Sequence, residues 1–374
     1  MVLTGLDVLA ADGFAPLQGL RLGLVCNHTA VDRQRRHLLD LALENGLQVR
    51  AILAPEHGFQ GKLDAPVSSG VHEPTGLSIH SLYGQHQRPT PEALAGLDAL
   101  VYDIADIGVR FYTYTTTMTQ CLAAAAMAGL PFFVLDRPNP IRGDVIEGPI
   151  LDAPQSRLSA WHALPLRHGF TSGELATWAN AEYGCGADLR IVRCAGWRRG
   201  LWFHETGLPW VNPSPNIRNP RQALLYVAIG TLEACHICVG RGTDTPFEII
   251  GAPWLDDLQA ADALNAAGIE ALSFTPIALT PYEREFVGEE CRGVFVTLHD
   301  WGSFEPVRAA LQIALTLQRL WPGEFGAGKM RHLLGSAPAT EAVVQLRPVE
   351  EIMEAWREEL EVFRSEAQRY WLYA

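Results

Sequence analysis

The chain lacks any apolar stretch that is long and uninterrupted enough to span a bilayer as a helix. It also lacks the basic start and continuous apolar core of a secretory signal, so we expect a cytoplasmic protein with no membrane partner. Positive charge is in deficit, and the formal net charge is -13. Because a nucleic-acid backbone would repel such a chain, nucleic acid is not expected as a partner either.

Motifs that would identify a bound cofactor or a catalytic metal are missing. No GxGxxG opens the first predicted helix and no Walker-type lysine loop is present, so the usual backbone cradle for phosphates is absent. The 12 histidines form no HExxH pair, and no GxSxG elbow presents a serine nucleophile. We therefore expect no cofactor and no metal, and a metal-dependent hydrolase has little support.

Cysteine is scarce, and its seven occurrences are irregularly spaced. This pattern is typical of reduced thiols rather than of a disulfide framework. Cys235 and Cys238 have the spacing of half a zinc site, but no second CxxC pair accompanies them. Buried apolar thiols are the better interpretation of both residues.

The chain does contain enough apolar material for two hydrophobic cores. Hydrophobic residues make up 48% of its 374 residues, a length beyond what one core usually supports. We predict an α/β protein with a Rossmann-like parallel-sheet domain over residues 1–150 and a smaller mixed α+β C-terminal domain over residues 151–374. Nothing in the sequence indicates an oligomeric state.

Strand and helix patterns alternate in the first domain, as they do in a doubly wound sheet. They predict strands at residues 21–26, 49–54, 77–82, 99–104 and 132–135, and helices at residues 32–45 and 118–128. In the second domain they predict strands at residues 190–194 and 294–298, and helices at residues 171–183, 305–320 and a final one across 352–363. The helix at 171–183 is opened by a capping box formed by Thr171 and Glu174.

Polar clusters follow four of the predicted parallel strands. Asn27 follows the first strand, Glu56 and His57 follow the second, and residues 103–114 and 136–140 follow the fourth and fifth. Ligands in open α/β sheets bind beyond the carboxyl ends of the strands. We therefore expect these clusters to form one binding site along this edge of the sheet.

Glu56 is the leading candidate for a catalytic acid. It lies between Pro55 and His57, directly beyond an apolar strand. A carboxyl group held there, partly out of water, can donate a proton to a leaving oxygen. The alternative is a loop carboxylate that orients His57 or caps a helix.

The cluster after the fourth strand is rich in groups that bind sugars. Asp103 and Asp106 are candidate catalytic carboxylates, and Arg110, Tyr112 and Tyr114 are candidate substrate contacts, because planar hydrogen-bonding groups and aromatic faces match sugar hydroxyls and C–H patches. The alternative is a structural ion pair between either aspartate and Arg110.

Two prolines stiffen the loop after the fifth strand, where Asp136, Arg137 and Asn139 are candidate substrate contacts. Arg137 could bind a carboxylate through two hydrogen bonds. The alternative is that the loop is a crossover between the domains, and binding is the preferred interpretation.

Two loops of the second domain also carry polar groups on a restrained backbone. Asn216, Arg241 and Thr243 are candidate ligand contacts in them, and the alternative interpretation is that they form turns.

Nine segments in register resemble the exo-β-N-acetylmuramidase family of the NamZ type. They are residues 4–7, 55–58, 81–84, 103–114, 135–140, 167–169, 213–216, 240–243 and 246–254. The resemblance implies a Rossmann-like domain, a smaller C-terminal domain and a cleft between them for a non-reducing terminal N-acetylmuramic acid.

The resemblance also implies roles for particular residues. Glu56 occupies the position of the family's Pro-Glu-His-Gly glutamate and would be the proton donor, and the resemblance leaves its partner open. Our hypothesis is that Asp103, Asp106 or the substrate's acetamido group supports the oxocarbenium-like centre. The lactyl carboxylate of the sugar would be bound by Arg110, Arg137 or Arg241.

The chain departs from the family pattern at two places. Ala105 replaces a glutamine, and Cys238 and Val239 replace a serine and a glutamate.

The function expected is an exo-acting glycoside hydrolase that releases N-acetylmuramic acid from peptidoglycan fragments during cell-wall turnover. The alternative is a non-catalytic protein that binds muropeptides or sugars.

Overall fold

The computed structural model of the protein describes residues 1–62, 68–84, 86–154 and 158–374. In these ranges the β-strands are β1 (Arg21–Cys26), β2 (Gln48–Ala54), β3 (Gly70–His72), β4 (Leu77–Ser81), β5 (Ala99–Asp103), β6 (Phe132–Leu135), β7 (Glu147–Ile150), β8 (Pro165–Arg167), β9 (Leu189–Val192), β10 (Ile249–Ala252), β11 (Leu272–Leu279) and β12 (Cys291–Leu298). The α-helices are α1 (Gly5–Ala11), α2 (Leu38–Glu44), α3 (Pro91–Leu94), α4 (Tyr114–Ala128), α5 (Ser172–Glu182), α6 (Phe203–Thr206), α7 (Pro220–Ile229), α8 (Asp257–Ala266), α9 (Pro306–Leu320), α10 (Arg331–Leu334), α11 (Ala337–Val344), α12 (Val349–Glu354) and α13 (Arg357–Ala367).

The chain forms two compact units. Unit 1 comprises Met1–Val145, His168–Arg218 and Ser365–Ala374, and unit 2 comprises Ile146–Arg167 and Asn219–Arg364. The chain therefore leaves unit 1 and returns to it twice. The two consecutive segments expected from the sequence, 1–150 and 151–374, do not describe these returns, although the expected boundary lies close to the first crossing.

Unit 1 is built on a seven-stranded sheet in the order β3-β4-β2-β1-β5-β6-β9. Every neighbouring pair is parallel except β3 with β4. β1, β5 and β6 are buried nearly throughout because their apolar residues are covered on both faces. The strand order reverses between β1 and β5, and this Rossmann-like topology confirms the predicted α/β fold class.

Helix bounds in unit 1 follow local capping chemistry. The predicted helix at 32–45 is wrong at its start: the Asp32 carboxylate accepts hydrogen bonds from the backbone N–H groups of Gln34 and Arg36 and from Arg36 Nε, which closes a turn, and α2 begins at Leu38. α4 begins at Tyr114 rather than at residue 118. The capping box of Thr171 and Glu174 at the start of α5 is confirmed.

The C-terminal residues of unit 1 supply hydrogen-bond donors to two buried carboxylates. The hydroxyl group of Tyr373 donates to Asp136 at 2.6 Å, and the backbone N–H of Leu372 donates to Glu174 at 2.8 Å. The guanidinium of Arg199 lies over the Trp371 ring, 4.0 Å from its centroid. These contacts attach residues 365–374 to the region behind β6 and α5.

Unit 2 has a three-stranded antiparallel sheet in the order β10-β12-β11 and a separate β7–β8 pair. α8 packs on β11, and α7 packs against α9, which Pro306 opens. This mixture confirms the predicted α+β character. The predicted final helix is wrong as a single element, because α12 ends at Glu354 and α13 begins at Arg357. None of the helices in the described ranges is long and apolar enough to cross a membrane.

The seven cysteines are free thiols, and all except Cys185 are buried. Burial raises the pKa of Cys235 to about 12, and it also raises the pKa of Cys238. In the described part of the chain, no group of three or more His, Cys, Asp or Glu side chains is placed to hold a metal ion. The environment of Cys235 and Cys238 therefore fits the interpretation of buried thiols.

Candidate functional site

The carboxyl ends of β1, β2 and β5 meet where the strand order of the sheet reverses. Cys26 at the end of β1 is level with Asp103 at the end of β5, and Val25 is level with Leu53 of β2. This reversal point is where open α/β sheets leave a crevice for a ligand. The residues that follow these three strands are therefore brought together, as the sequence predicts.

Glu56 stands on a tight turn beyond β2. The carbonyl of Pro55 accepts a hydrogen bond from Gly58 N at 3.0 Å, and His57 and Gly58 both adopt a positive φ, 68° and 74°. The Glu56 side chain is partly buried, and its Oε2 accepts a hydrogen bond from Thr113 Oγ1 at 2.5 Å. In the described ranges no donor reaches Oε1. One carboxyl oxygen is thus held in place while the other is available to a ligand.

Asp103 forms a buried ion pair with Arg137. Arg137 Nε donates to Oδ1 of Asp103, and Nη2 donates to Oδ2 at 2.8 Å and to the carbonyl of Val31 at 3.1 Å. Burial raises the pKa of Asp103, and the adjacent guanidinium opposes that rise. The sequence left open a structural ion pair of either aspartate with Arg110, whereas in the structure Asp103 pairs with Arg137.

Asp106 differs from Asp103 because one of its carboxylate oxygens has no partner. Its Oδ2 accepts a hydrogen bond from Gly108 N at 2.7 Å and lies 3.6 Å from His168 Nε2. Its Oδ1 is buried and has no hydrogen-bond partner among the described residues. A buried carboxylate oxygen without a donor is energetically costly, and a ligand that donates to it would remove that cost.

Tyr114 and Asn27 connect the segments that follow β1, β2 and β5. The Tyr114 hydroxyl donates to the carbonyl of Pro213 at 2.7 Å and lies 3.5 Å from the Glu56 carbonyl. Asn27 Nδ2 donates to the Tyr114 hydroxyl oxygen at 3.2 Å. Burial raises the pKa of Tyr114, and the charges of Glu56 and Asp106 add to the rise. Both side chains are fully engaged and hold the strand-end loops together.

Asp136 and Asn139 also make internal hydrogen bonds rather than facing open space. Asp136 is fully buried and accepts hydrogen bonds from Arg137 N, Gly173 N, Thr171 Oγ1 and the Tyr373 hydroxyl. Asn139 donates to the carbonyl of Phe170 and accepts from Ile141 N. These contacts indicate structural roles and correct the expectation that both side chains are presented to the substrate.

Three other predicted contacts are buried in unit 1. His57, Arg110 and Tyr112 are each less than a tenth exposed, and the rings of Tyr112 and Tyr114 meet edge to face with centroids 4.9 Å apart. Asn216 is partly buried in the same unit. All four remain candidates for substrate contact.

A cleft in unit 1 with about 40 Å³ of free volume lies beside the Asp103–Arg137 pair. Asp106 and Arg137 line it, together with residues that the sequence does not single out as ligands: Thr4, Thr29, Val31, Asp32, Ala105, Pro138, Pro140, Phe203, Leu208, Pro209, Trp210, Val211 and Pro213. Glu56 is not among the lining residues. It is next to the cleft through Tyr114, whose hydroxyl binds Pro213 of the cleft wall.

Thr113, His168 and Trp210 are the main omissions of the sequence-based prediction. Thr113 binds Glu56, His168 lies beside Asp106, and Trp210 forms part of the cleft wall. Their sequence signal is limited to their position inside or beside the family-like segments 103–114, 167–169 and 213–216. The contacts themselves join residues that are far apart in the chain.

Unit 2 has a separate cavity of about 230 Å³. Arg241 lines this cavity and forms an ion pair with Glu233. Thr243 donates to the carbonyl of Gly240 at 2.6 Å and accepts from Thr245 N at 3.1 Å. Thr243 is therefore a turn-forming residue, which was the alternative interpretation of its motif.

Known proteins match the chain over its whole length. The family model described as Exo-beta-N-acetylmuramidase NamZ, N-terminal, matches residues 22–221, and the corresponding C-terminal model matches residues 224–373. The peptidoglycan beta-N-acetylmuramidase NamZ of Bacillus subtilis (strain 168) is 37% identical over 378 residues, covering 100% of this chain and 91% of the relative.

Two solved structures of DUF1343 family proteins from Bacteroides fragilis NCTC 9343 have the same fold. One is 33% identical with a TM-score of 0.91, and the other is 27% identical with a TM-score of 0.81. Each match covers 100% of this chain and 99% of the solved chain.

Proposed function

The chain belongs to the exo-β-N-acetylmuramidase NamZ family, and from that membership we propose that it is an exo-acting glycoside hydrolase that releases N-acetylmuramic acid from the non-reducing ends of peptidoglycan fragments. The activity in the name of the Bacillus subtilis relative supports this assignment, since the match extends along the full chain. The proposed substrate is a muropeptide or a related carbohydrate fragment, and the proposed role is in cell-wall turnover.

The partly buried Glu56 carboxyl carries the mechanistic part of the proposal. Because Oε2 accepts a hydrogen bond from Thr113, the proton of the neutral acid belongs on Oε1, the oxygen without a donor in the described residues. From there it can pass to the glycosidic oxygen as the bond to the anomeric carbon breaks. Glu56 is thus proposed as the general acid.

Arg137 is the proposed site for the lactyl carboxylate of the sugar. It lines the cleft of unit 1, and its Nη1 makes no hydrogen bond within the described residues. Asp103 is assigned to holding this guanidinium, since both of its oxygens are engaged, and is no longer proposed as a catalytic group. Asp106, with one oxygen unpaired, remains available to the substrate.

The test compares two leaving groups in wild type and Glu56→Gln. With the disaccharide of N-acetylmuramic acid and N-acetylglucosamine, the variant should lose about 10²- to 10⁴-fold in kcat/KM, the usual contribution of a general acid. With 4-nitrophenyl β-N-acetylmuraminide the loss should be much smaller, because nitrophenolate departs without protonation. Glu44→Gln, at an exposed position, is the matched control and should behave as wild type.

Two results would contradict the proposal. Equal losses on both substrates would show that Glu56 does not protonate the leaving group. Tight binding of the disaccharide by wild type without release of N-acetylmuramic acid would instead establish the alternative, a non-catalytic sugar-binding protein.

A further inference from the structure

Most polar side chains that line the cleft of unit 1 are engaged with the protein itself. Thr29 Oγ1 donates to Asn27 and accepts from Ala105 N, and Thr4 Oγ1 donates to Asp7 and accepts from Asp7 N. The Asp32 carboxylate is occupied by the turn before α2. These groups contribute shape to the cleft but have little hydrogen-bonding capacity left for a ligand.

Two residues that line the cleft each have a buried polar atom without a partner among the described residues. One is the acceptor Oδ1 of Asp106, and the other is the donor Nε1 of Trp210. The wall around them is largely apolar and includes Phe203, whose ring meets Trp210 edge to face at 4.9 Å, together with Leu208 and Val211. A complementary ligand group must therefore offer one donor, one acceptor and an apolar end.

The orientation of His168 fixes Asp106 as an acceptor. The backbone N–H of Phe170 donates to His168 Nδ1 at 3.1 Å, so a neutral His168 carries its proton on Nε2, which faces Asp106 Oδ2. Gly108 N donates to the same oxygen. Both neighbours are on the side of Oδ2, which leaves Oδ1 as the oxygen available to a ligand donor.

We propose that the part of this cleft around Asp106 and Trp210 is the subsite for the 2-acetamido group of the terminal sugar, with Arg137 left to the lactyl carboxylate. The amide N–H is donated to Asp106 Oδ1, the amide oxygen accepts from Trp210 Nε1, and the methyl group packs on the apolar wall beside Phe203. A secondary amide with a methyl end supplies all three complementary features, whereas a hydroxyl group supplies neither the length nor the apolar end. This inference deepens the proposed function and rests on it.

The position of the cleft relative to Glu56 fits this assignment. Tyr114 binds Pro213 of the cleft wall and lies against the backbone of Glu56, so the subsite and the proposed acid share one buried side chain. In a β-N-acetylmuraminide, the 2-acetamido group is attached to the carbon adjacent to the bond that breaks. Recognition of the amide in the cleft would place that bond near Glu56.

Asp106→Asn tests the subsite because it replaces the acceptor Oδ1 with an NH₂ donor. Gly108 N requires an acceptor, so the amide oxygen of the asparagine takes the place of Oδ2 and its NH₂ group faces the cleft. Donor then meets donor, and kcat/KM on 4-nitrophenyl β-N-acetylmuraminide should fall about 10- to 100-fold. On the analogue with a 2-hydroxyl group, the change should be less than about threefold.

Two further variants complete the design. Trp210→Phe removes the donor but keeps an aromatic ring, and should lower kcat/KM about 5- to 10-fold on the acetamido substrate alone. Asp188→Asn, at an exposed ion pair with Arg190, should match wild type on both substrates. Competitive inhibition by N-acetylmuramic acid and by 3-O-lactylglucose compares a 2-acetamido ligand with a 2-hydroxyl ligand without requiring turnover of either.

The outcomes separate the two proposals. Equal effects of Asp106→Asn on the acetamido and hydroxyl ligands, or no effect on either, would overturn the subsite. Loss of selective inhibition by N-acetylmuramic acid in Asp106→Asn, together with no turnover by wild type, would support the subsite and overturn the hydrolase.

Discussion

Thr113→Val is expected to slow the protonation of the leaving group without loosening the fold. The hydroxyl group of Thr113 donates to Glu56 at 2.5 Å, at the short end of the range for O–H···O hydrogen bonds. Valine has nearly the same shape and removes only this donor. Thr113 precedes α4 but its side chain makes no capping hydrogen bond there, so the helix loses nothing.

The magnitude follows from the change in charge on Glu56 during the reaction. A hydrogen bond to a charged group contributes about 1.5–3 kcal/mol and one to a neutral group about 1 kcal/mol. The reaction converts a neutral acid into a carboxylate, so the variant loses the difference, about 1–2 kcal/mol. This corresponds to a decrease of roughly 5- to 30-fold in kcat.

Steady-state kinetics on the disaccharide and on the nitrophenyl substrate would measure this effect. The loss should occur in kcat on the disaccharide, should be smaller on the nitrophenyl substrate, and should be restored by Thr113→Ser, which keeps the hydroxyl. The thermal midpoint should stay close to that of wild type. The reasoning is refuted if Thr113→Val has full activity on the disaccharide, or if Thr113→Ser is as impaired as Thr113→Val.

Two further predictions concern stability. Burial raises the pKa of Asp136 to about 6. Between pH 4 and pH 6 the folded protein therefore binds more protons at this group than the unfolded chain does. The free energy of unfolding should fall by ~3 kcal/mol as pH rises through that window. Urea unfolding at several pH values should show this slope in wild type but not in Asp136→Asn, and equal slopes would contradict it. Arg199→Ala should lower the free energy of unfolding by about 3–5 kcal/mol because it leaves the buried Glu174 carboxylate without its cation. Arg347→Ala, at an exposed ion pair, should lower it by less than about 1 kcal/mol. Similar losses for the two variants in denaturant unfolding would refute this reasoning.

The sequence predicts elements best where the signal is local. β1 and β6 have their predicted bounds because each is a short apolar run, and α5 starts where its capping box predicts. The start of α2 is mispredicted because the Asp32 side chain can close a turn or begin a helix, and the local pattern is compatible with both. Local patterns therefore identify elements but do not decide between competing local hydrogen bonds.

The roles of site residues depend on contacts that no local pattern records. The strand-end rule brings Asn27, Glu56 and Asp103 to one edge of the sheet. It does not indicate that Asp103 is occupied by Arg137, or that Asp106 keeps an unpaired oxygen. These distinctions arise from side-chain packing between distant segments, which requires coordinates.

The return of the C-terminal residues to unit 1 bears on how the protein is synthesised. Asp136 lies at the start of the loop that carries Arg137, yet its donor Tyr373 is 237 residues further along the chain. Domains generally fold as units during synthesis, with the N-terminal one first. During synthesis, the sheet of unit 1 therefore lacks one hydrogen-bond donor to a buried carboxylate until the segment that contains Tyr373 has emerged.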